Sequence, residues 1–437
     1  MTEPTSLETP SRKPLFVRFL AALGPAIITA SVVLGPGSIL TNSKTGAIFG
    51  YQMAWVLVIA VALMIGMTAL STRLGVLMDK TIGEEIAQRA GRLFAILVGA
   101  TIFLVASCFQ FSNNTGVLAA FEPFLSGNQK TISLILLTLA NATAISALLF
   151  ARDLYRHIET LMKILVGLMV VGFIGNLILA RPSISGILSG FVPSVPDGSL
   201  KSILPIPGQE DVFRPVVAMI GTTFSIAAAY YQSYLVQQKG WTKANYRTSV
   251  IDTLTGIGML GLISLVIMCT ASAAFHGKPI VSELQSAADF ATQLEPTFGT
   301  GAKYLFCAGI FAGAISSFLV NALIGGAMLS DGCGFGGRME QRGVRICTVL
   351  ALLIGYGVAV YMVLNDVARP VNLIIFAQSV TVLGGPLIAI VLIWLATRPD
   401  LRRDVSTLLI VMAVIGMLLT LFVALRTAIG VYIQLTG

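Results

Sequence analysis

The residues best placed to do chemistry lie in two polar interruptions of otherwise apolar stretches. The first is Leu34-Gly35-Pro36-Gly37-Ser38, inside a run that begins near Phe16 and continues to about Thr45. Pro36 lacks an N–H and clashes with the turn before it, and its flanking glycines do not hold a helical backbone, so the run reads as a broken helix. The second runs from Gly221 to Ser233 and carries Thr222, Thr223, Ser225 and Gln232 around the small residues Ala227 and Ala228. The chemistry on offer is coordination by neutral oxygens and by backbone carbonyls freed at a break. Nucleophilic and acid–base chemistry is not on offer. There is no HExxH, no Walker A loop and no nucleophile elbow, and the two histidines, His157 and His276, precede or follow apolar runs. The five cysteines (Cys108, Cys269, Cys307, Cys333, Cys347) show no CxxC spacing and read as buried thiols. Neither an enzyme nor a cofactor is expected.

The elements that must position these residues follow from composition. The 437 residues are 56% hydrophobic and 11% charged, with a mean hydropathy of +0.87. A soluble domain carries about a quarter charged residues, so this is an all-α polytopic membrane protein. Eleven candidate spans are read at roughly 16–45, 50–74, 93–122, 131–150, 156–180, 213–239, 248–274, 299–330, 343–364, 370–397 and 405–433. A break at membrane depth frees N–H and C=O groups, which are tolerated only against protein or a wet cavity. Broken helices of this kind mark the substrate site in many secondary transporters. The second break has no proline, and back-bonding of Thr223 and Ser225 to their own helix is an alternative account of those hydroxyls. Its position carries the argument: it falls in the sixth span, which begins a second set of five. Interrupted helices at corresponding places in two halves are the pattern of an inverted repeat.

The net charge of +8 is explained by where the basic residues fall. With the N-terminus in the cytoplasm, the inner segments hold nineteen of the 28 Lys and Arg, among them Arg73, Lys80, Arg156, Lys239, Arg338 and Arg398. The positive-inside rule therefore supports an N-in topology in the cell membrane (the inner membrane in a Gram-negative source), and no nucleic-acid partner is implied. Residues 1–15 form a polar cytoplasmic tail without the apolar core of a signal peptide. Residues 16–180 form the first repeat, 181–212 a Pro/Ser/Gly-rich exterior loop, 213–397 the second repeat, and 398–437 carry the last span. Short surface helices are expected within 75–92 and 275–298.

At these residues the chain resembles the Nramp family of divalent-metal transporters. The resemblance runs over nearly the whole length, through Gly24-Pro25, Gly35-Pro36-Gly37-Ser38, Thr45-Gly46-Ala47, Phe49-Gly50-Tyr51-Gln52 and Ser71-Thr72-Arg73-Leu74-Gly75. It continues through Tyr155-Arg156 with Glu159, Ala273-Ala274-Phe275, Gly313 with Ser316-Ser317, and Phe376-Ala377-Gln378. It implies a LeuT-type fold of five plus five helices in inverted repeat, with one extra helix. Family members hold metal through Asp and Asn of a DPGN motif and the Met of an MPHN-like motif. Here Gly35-Pro36-Gly37-Ser38 stands at the first and Ser225-Ile226-Ala227-Ala228 at the second. The family's proton pathway uses acids in the third span and a His in the sixth, where this chain has Gln110, Asn113 and Gln232. This pattern is similar to that of the Nramp-related magnesium transporters, a branch with altered site residues and no proton coupling.

Loss of the thioether removes a soft ligand that favours late transition metals. A site of Ser38, Thr223, Ser225, Gln378 and the carbonyls near Leu34 and Gly35 offers neutral oxygens, which suit a hard cation keeping much of its water. Ser38 and Gln378 are the candidate metal contacts. Asn42 is placed in the same vestibule, and Gln110, Asn113 and Gln232 on a polar path that relays no protons. Helix–helix hydrogen bonding is the alternative for these amides and the preferred reading of Asn114. No acidic residue falls at the membrane midplane. The expected function is alternating-access transport of a divalent cation, Mg²⁺ or Mn²⁺, across the lipid bilayer, with a monomer as one candidate state. The rival is a LeuT-type carrier of a small organic solute, for which a carboxylate-free site lined by Gly35, Ala227 and Ala228 leaves room.

Overall fold

The computed structural model describes residues 24–125, 129–150, 153–196, 203–209, 211–279, 281, 284, 289–291, 294–295, 299–365, 375 and 381–436. The regular structure among them is helical throughout. In chain order the helices are α1 (Pro25–Val33), α2 (Pro36–Phe49), α3 (Ala54–Leu77), α4 (Ile82–Ala90), α5 (Arg92–Phe121), α6 (Gln129–Phe150), α7 (Leu154–Ala180), α8 (Ile184–Gly190), α9 (Arg214–Thr223), α10 (Ile226–Gln238), α11 (Tyr246–Phe275), α12 (Thr300–Cys333), α13 (Arg342–Leu364), α14 (Gly385–Ala396) and α15 (Thr407–Thr436).

Among the described residues, eight helices are each long and apolar enough to cross a membrane, and the bent pair α1–α2 makes a ninth. The shorter helices α9, α10 and α14, of which α14 is apolar, lie where the sixth and tenth spans are expected. The outer helices turn apolar side chains away from the protein, such as Leu93, Leu104, Ile164, Val171 and Leu418. That is the surface a lipid environment requires, and the chain is a multi-pass membrane protein.

The broken helices α1–α2 and α9–α10 form the centre. The long helices α5 and α12 pack on one side of them, and α3 and α11 on the other. Contacts between loops show that successive connections alternate between two faces. On one face Asp404, after α14, meets Lys243, after α10, and Arg73 at the end of α3. Arg398 meets Glu85 of α4. This is the face that carries most of the Lys and Arg residues. On the other face Trp55 donates to the Ser194 carbonyl and Arg426 pairs with Asp211.

The surface helix expected within 75–92 is α4. A reciprocal capping box starts it, with the Thr81 hydroxyl accepting from Glu84 N–H and the Glu84 carboxylate accepting from Thr81 N–H. The stretch 181–212, read from sequence as loop, contains the helix α8, capped by Ser183 and packed against Tyr51.

Candidate functional site

Both prolines of the first span sit at the start of a helix, where a missing N–H costs nothing. The residues that leave helical geometry are therefore Leu34 and Gly35, and Pro36 and Gly37 form the first turn of α2. The two halves meet at 55°. The break lies in a cradle of glycines. A Cβ on Gly116 of α5 would strike the Pro36 ring, and one on Gly313 of α12 would lie 2.6 Å from the Leu34 carbonyl oxygen. Two of the carbonyls at the end of α1, those of Ser31 and Val32, are taken by α12. Ser317 Oγ donates towards the carbonyls of Val32 (2.5 Å) and Ser31 (3.1 Å), and Ser316 Oγ reaches that of Ser31 at 3.2 Å.

Beyond the break, Ser38 and Asn42 share one face of α2. Asn42 Nδ2 donates to the Ser38 carbonyl at 2.8 Å and reaches Ser38 Oγ at 3.3 Å. Asn42 Oδ1 is left without a protein partner, as is Thr223 Oγ1 at the end of α9. The helices that carry them meet one residue away, where the Thr41 and Thr222 hydroxyls approach to 3.4 Å. A matching contact joins the other halves: Thr29 Oγ1 of α1 donates to Gln232 Oε1 of α10 at 2.5 Å. Thus α2 touches α9 on one side of the breaks and α1 touches α10 on the other, as a two-fold-related pair of crossed spans must. Ser38, Asn42, Thr223 and Gln232 are each 2% exposed or less, so the crossing is shut to solvent.

The second break is real but lies earlier than its small residues suggested. Phe224 and Ser225 leave helical geometry, while Ala227 and Ala228 are in the first turn of α10. The cause is tertiary. The Phe224 ring packs where a side chain on Gly416 of α15 would stand. Ser225 is the N-cap of α10 but makes no side-chain cap bond. It lines a cavity of about 20 Å³ with Phe109, Thr381 and Thr420, enough for one water. Gln378, the expected partner of Ser38, lies outside the described residues.

The amides placed on a polar path are engaged with one another. Gln110 Nε2 donates to the Phe318 carbonyl at 2.7 Å, and Gln110 Oε1 accepts from Asn113 Nδ2 at 2.8 Å. Asn114 Oδ1 accepts from Asn141 Nδ2. Gln110 thereby ties α5 to α12, as polar pairs do where there is no water, whereas the bond of Asn113 stays within α5 and its Oδ1 lies 3.4 Å from the Cβ position of Gly35, beside the first break. Gln232 is held by Thr29, with its Nε2 unpartnered.

Sequence reading missed four groups: Thr29, Thr41, the Ser316–Ser317 pair and Asp252. The last closes the basic side. Its carboxylate accepts from the N–H groups of Gly24 (2.6 Å) and Ala26 (2.9 Å), capping α1 from α11. On the same side Tyr234 donates to Asp331 Oδ2 at 2.6 Å and accepts from Gly83 N–H at 3.0 Å. Tyr234 also lines a cavity of about 710 Å³ that opens on the basic face beside Gln237, Trp241 and Arg338. Small residues followed by paired serines, as in Gly313 to Ser317, were the available signal for a close helix contact. Nothing local distinguishes Asp252 from a surface acid.

Among the described residues, no group of three or more His, Cys, Asp or Glu side chains could hold a metal. The arrangement can hold a guest only through hydroxyls, amides, carbonyls and the water they order.

Comparison with known proteins agrees with this geometry. The chain is 29% identical over 350 residues to the divalent metal cation transporter MntH of Yersinia pestis, covering 78% of this chain and 79% of that one. It is 26% identical over 406 residues to the MntH of Deinococcus radiodurans, covering 89% and 85%. The fold matches that of a manganese transporter from Eremococcus coleocola, with a TM-score of 0.76 at 16% identity over 98% of this chain and 89% of that one. It also matches MhsT, solved in complex with L-phenylalanine, with a TM-score of 0.56 at 17% identity over 94% and 99%. The model of the family described as "natural resistance-associated macrophage protein-like" matches residues 26–432, and the chain belongs to this Nramp family.

Proposed function

We propose that this chain is a secondary transporter of a divalent cation, that a hard ion such as Mg²⁺ is its cargo, and that it works by alternating access without proton coupling. The family and the relatives named as divalent-metal transporters support the class of cargo. The observation that carries the finer reading is the pair Asn42 Oδ1 and Thr223 Oγ1. Both are buried, Thr223 at the second break and Asn42 one turn past Ser38; both lack a protein side-chain or backbone partner, and both are neutral. A buried polar atom left unpaired is costly, so a guest or its water belongs there. Neutral oxygens suit a hard cation, and with no carboxylate to offset two charges the ion must keep part of its hydration shell. Gln110, Asn113 and Gln232 stand where the resemblance places the family's proton-relaying acids and His, and amides do not titrate, which supports transport without proton coupling.

The test is uptake into liposomes holding the purified protein, with Mg²⁺-, Mn²⁺- and pH-sensitive dyes inside. Saturable Mg²⁺ entry without acidification is the expected result. Acidification in step with the ion would overturn the uncoupled mechanism. If no divalent ion enters under any gradient or voltage, the cargo is an organic solute and the cation reading falls.

A further inference from the structure

We infer that Ser317 is the specificity-determining residue of this site: its hydroxyl withholds the Ser31 and Val32 carbonyls of α1 from the ion, so the cargo crosses with water on that side. The inference rests on the divalent-cation reading above. A helix end exposes carbonyls that lack intrahelical partners, and these carry the negative end of the helix dipole. At a broken span they are natural ligands for a bare cation. In α1 those of Ala30, Ser31 and Val32 are engaged. The Ala30 carbonyl accepts from Leu34 N–H at 3.1 Å. Those of Ser31 and Val32 accept from Ser317, and Ser31 also from Ser316. The Leu34 carbonyl faces the bare backbone of Gly313.

The same hydroxyl decides what residue 35 can be. A Cβ built on Gly35 lies 2.5 Å from Ser317 Oγ and 3.0 Å from its Cβ. Gly35 has φ −72° and ψ 174°, an extended conformation open to any residue, so glycine is required here by space and not by backbone angle. Ser317 thus occupies the volume of a position-35 side chain and caps the carbonyls beside it. The oxygens left to the ion are those of Ser38, Asn42 and Thr223 and that of Asn113, whose Oδ1 lies 3.4 Å from the same Cβ position, reached directly or through water. An ion that sheds its water reluctantly is favoured by such a one-sided site. An ion that prefers direct ligands is not.

The experiment is the ratio of Mn²⁺ to Mg²⁺ uptake, as kcat/KM, in liposomes. Ser317→Ala frees the Val32 carbonyl and should raise the ratio about tenfold. Gly35→Ala leaves α12 unchanged but pushes the Ser317 hydroxyl aside, and should shift the ratio in the same direction. Because both act through one hydroxyl, the double variant should exceed neither single variant. Ser316→Ala, which leaves the Val32 bond in place, should keep the original ratio. A ratio reports only on folded, working protein, so loss of yield does not mimic the effect. If Gly35→Ala and Ser317→Ala carry Mg²⁺ and Mn²⁺ in the original proportion, Ser317 does not set specificity. If the unaltered protein carries neither ion, the cation reading has failed instead.

Discussion

Ser38 and Asn42 lie one turn apart on α2, and each has an oxygen that the protein does not fully use. Ser38→Ala should lower Mg²⁺ uptake several-fold while leaving the melting temperature in detergent within a few degrees, because the Ser38 carbonyl keeps its bonds to Thr41 and Asn42. Unchanged uptake at every ion concentration would remove Ser38 from the site. Gln110 behaves in the opposite way. Its amide ties α5 to the Phe318 carbonyl, so Gln110→Leu should cost about 1 kcal/mol in thermal unfolding, as one buried hydrogen bond does. Its uptake per folded molecule should be unchanged. At this scale the sequence was partly legible. Residue types announced hydroxyls and amides around both breaks, but whether an amide faces a guest or a neighbouring helix depends on rotation about the helix axis. Apolar residues on every side of a membrane helix erase the periodicity that would reveal that rotation.

The half-helix α1 is held at its start by Asp252 and at its end by Ser316 and Ser317, with the Trp241 ring against Gly24. It is short, so these caps decide its stability. Asp252→Ala would leave two buried N–H groups unpaired and should cost roughly 1–2 kcal/mol of local stability, the usual loss of an N-cap. Hydrogen exchange over residues 24–33 should accelerate, and α4 should be unaffected; equal protection in the variant would show that Trp241 and the serines suffice. The first break was readable because Pro36 and its glycines announce it. The second was read too late, at Ala227 and Ala228, because the local sequence holds no breaker. Phe224 leaves the helix to pack on Gly416, nearly two hundred residues away, and no window of sequence contains that contact.

On the scale of the molecule, the basic face is stitched by ion pairs between loops. Lys243 hydrogen-bonds the Asp404 carboxylate and holds its pKa below the usual 3.8. Arg398 does the same for Asp400. A depressed carboxylate pKa adds stability that is complete above 3.8 and is lost as pH falls through the lower folded value. Melting temperature should therefore be level from about pH 7 to 5 and fall below about pH 4. Asp404→Asn should flatten that acid limb, and salt should weaken the same contacts because they are exposed. A limb of equal steepness in the variant would assign it to other carboxylates. The distribution of Lys and Arg made this face visible in the sequence. Which loop meets which was not visible, since it depends on how the two repeats interlock.

That interlocking has a consequence for leakage. Thr41 and Thr222 close one approach to the centre, and Thr29 and Gln232 close the other. The four residues belong to only two spans, and each span contributes to both closures from the two sides of its own break. On the proposed mechanism the crossing works as an airlock whose two doors hang on shared hinges. Swinging one half-helix aside releases a single latch while its other half still bolts the far door. A shaft open from end to end would have to give up both latches together, with nothing bound to compensate.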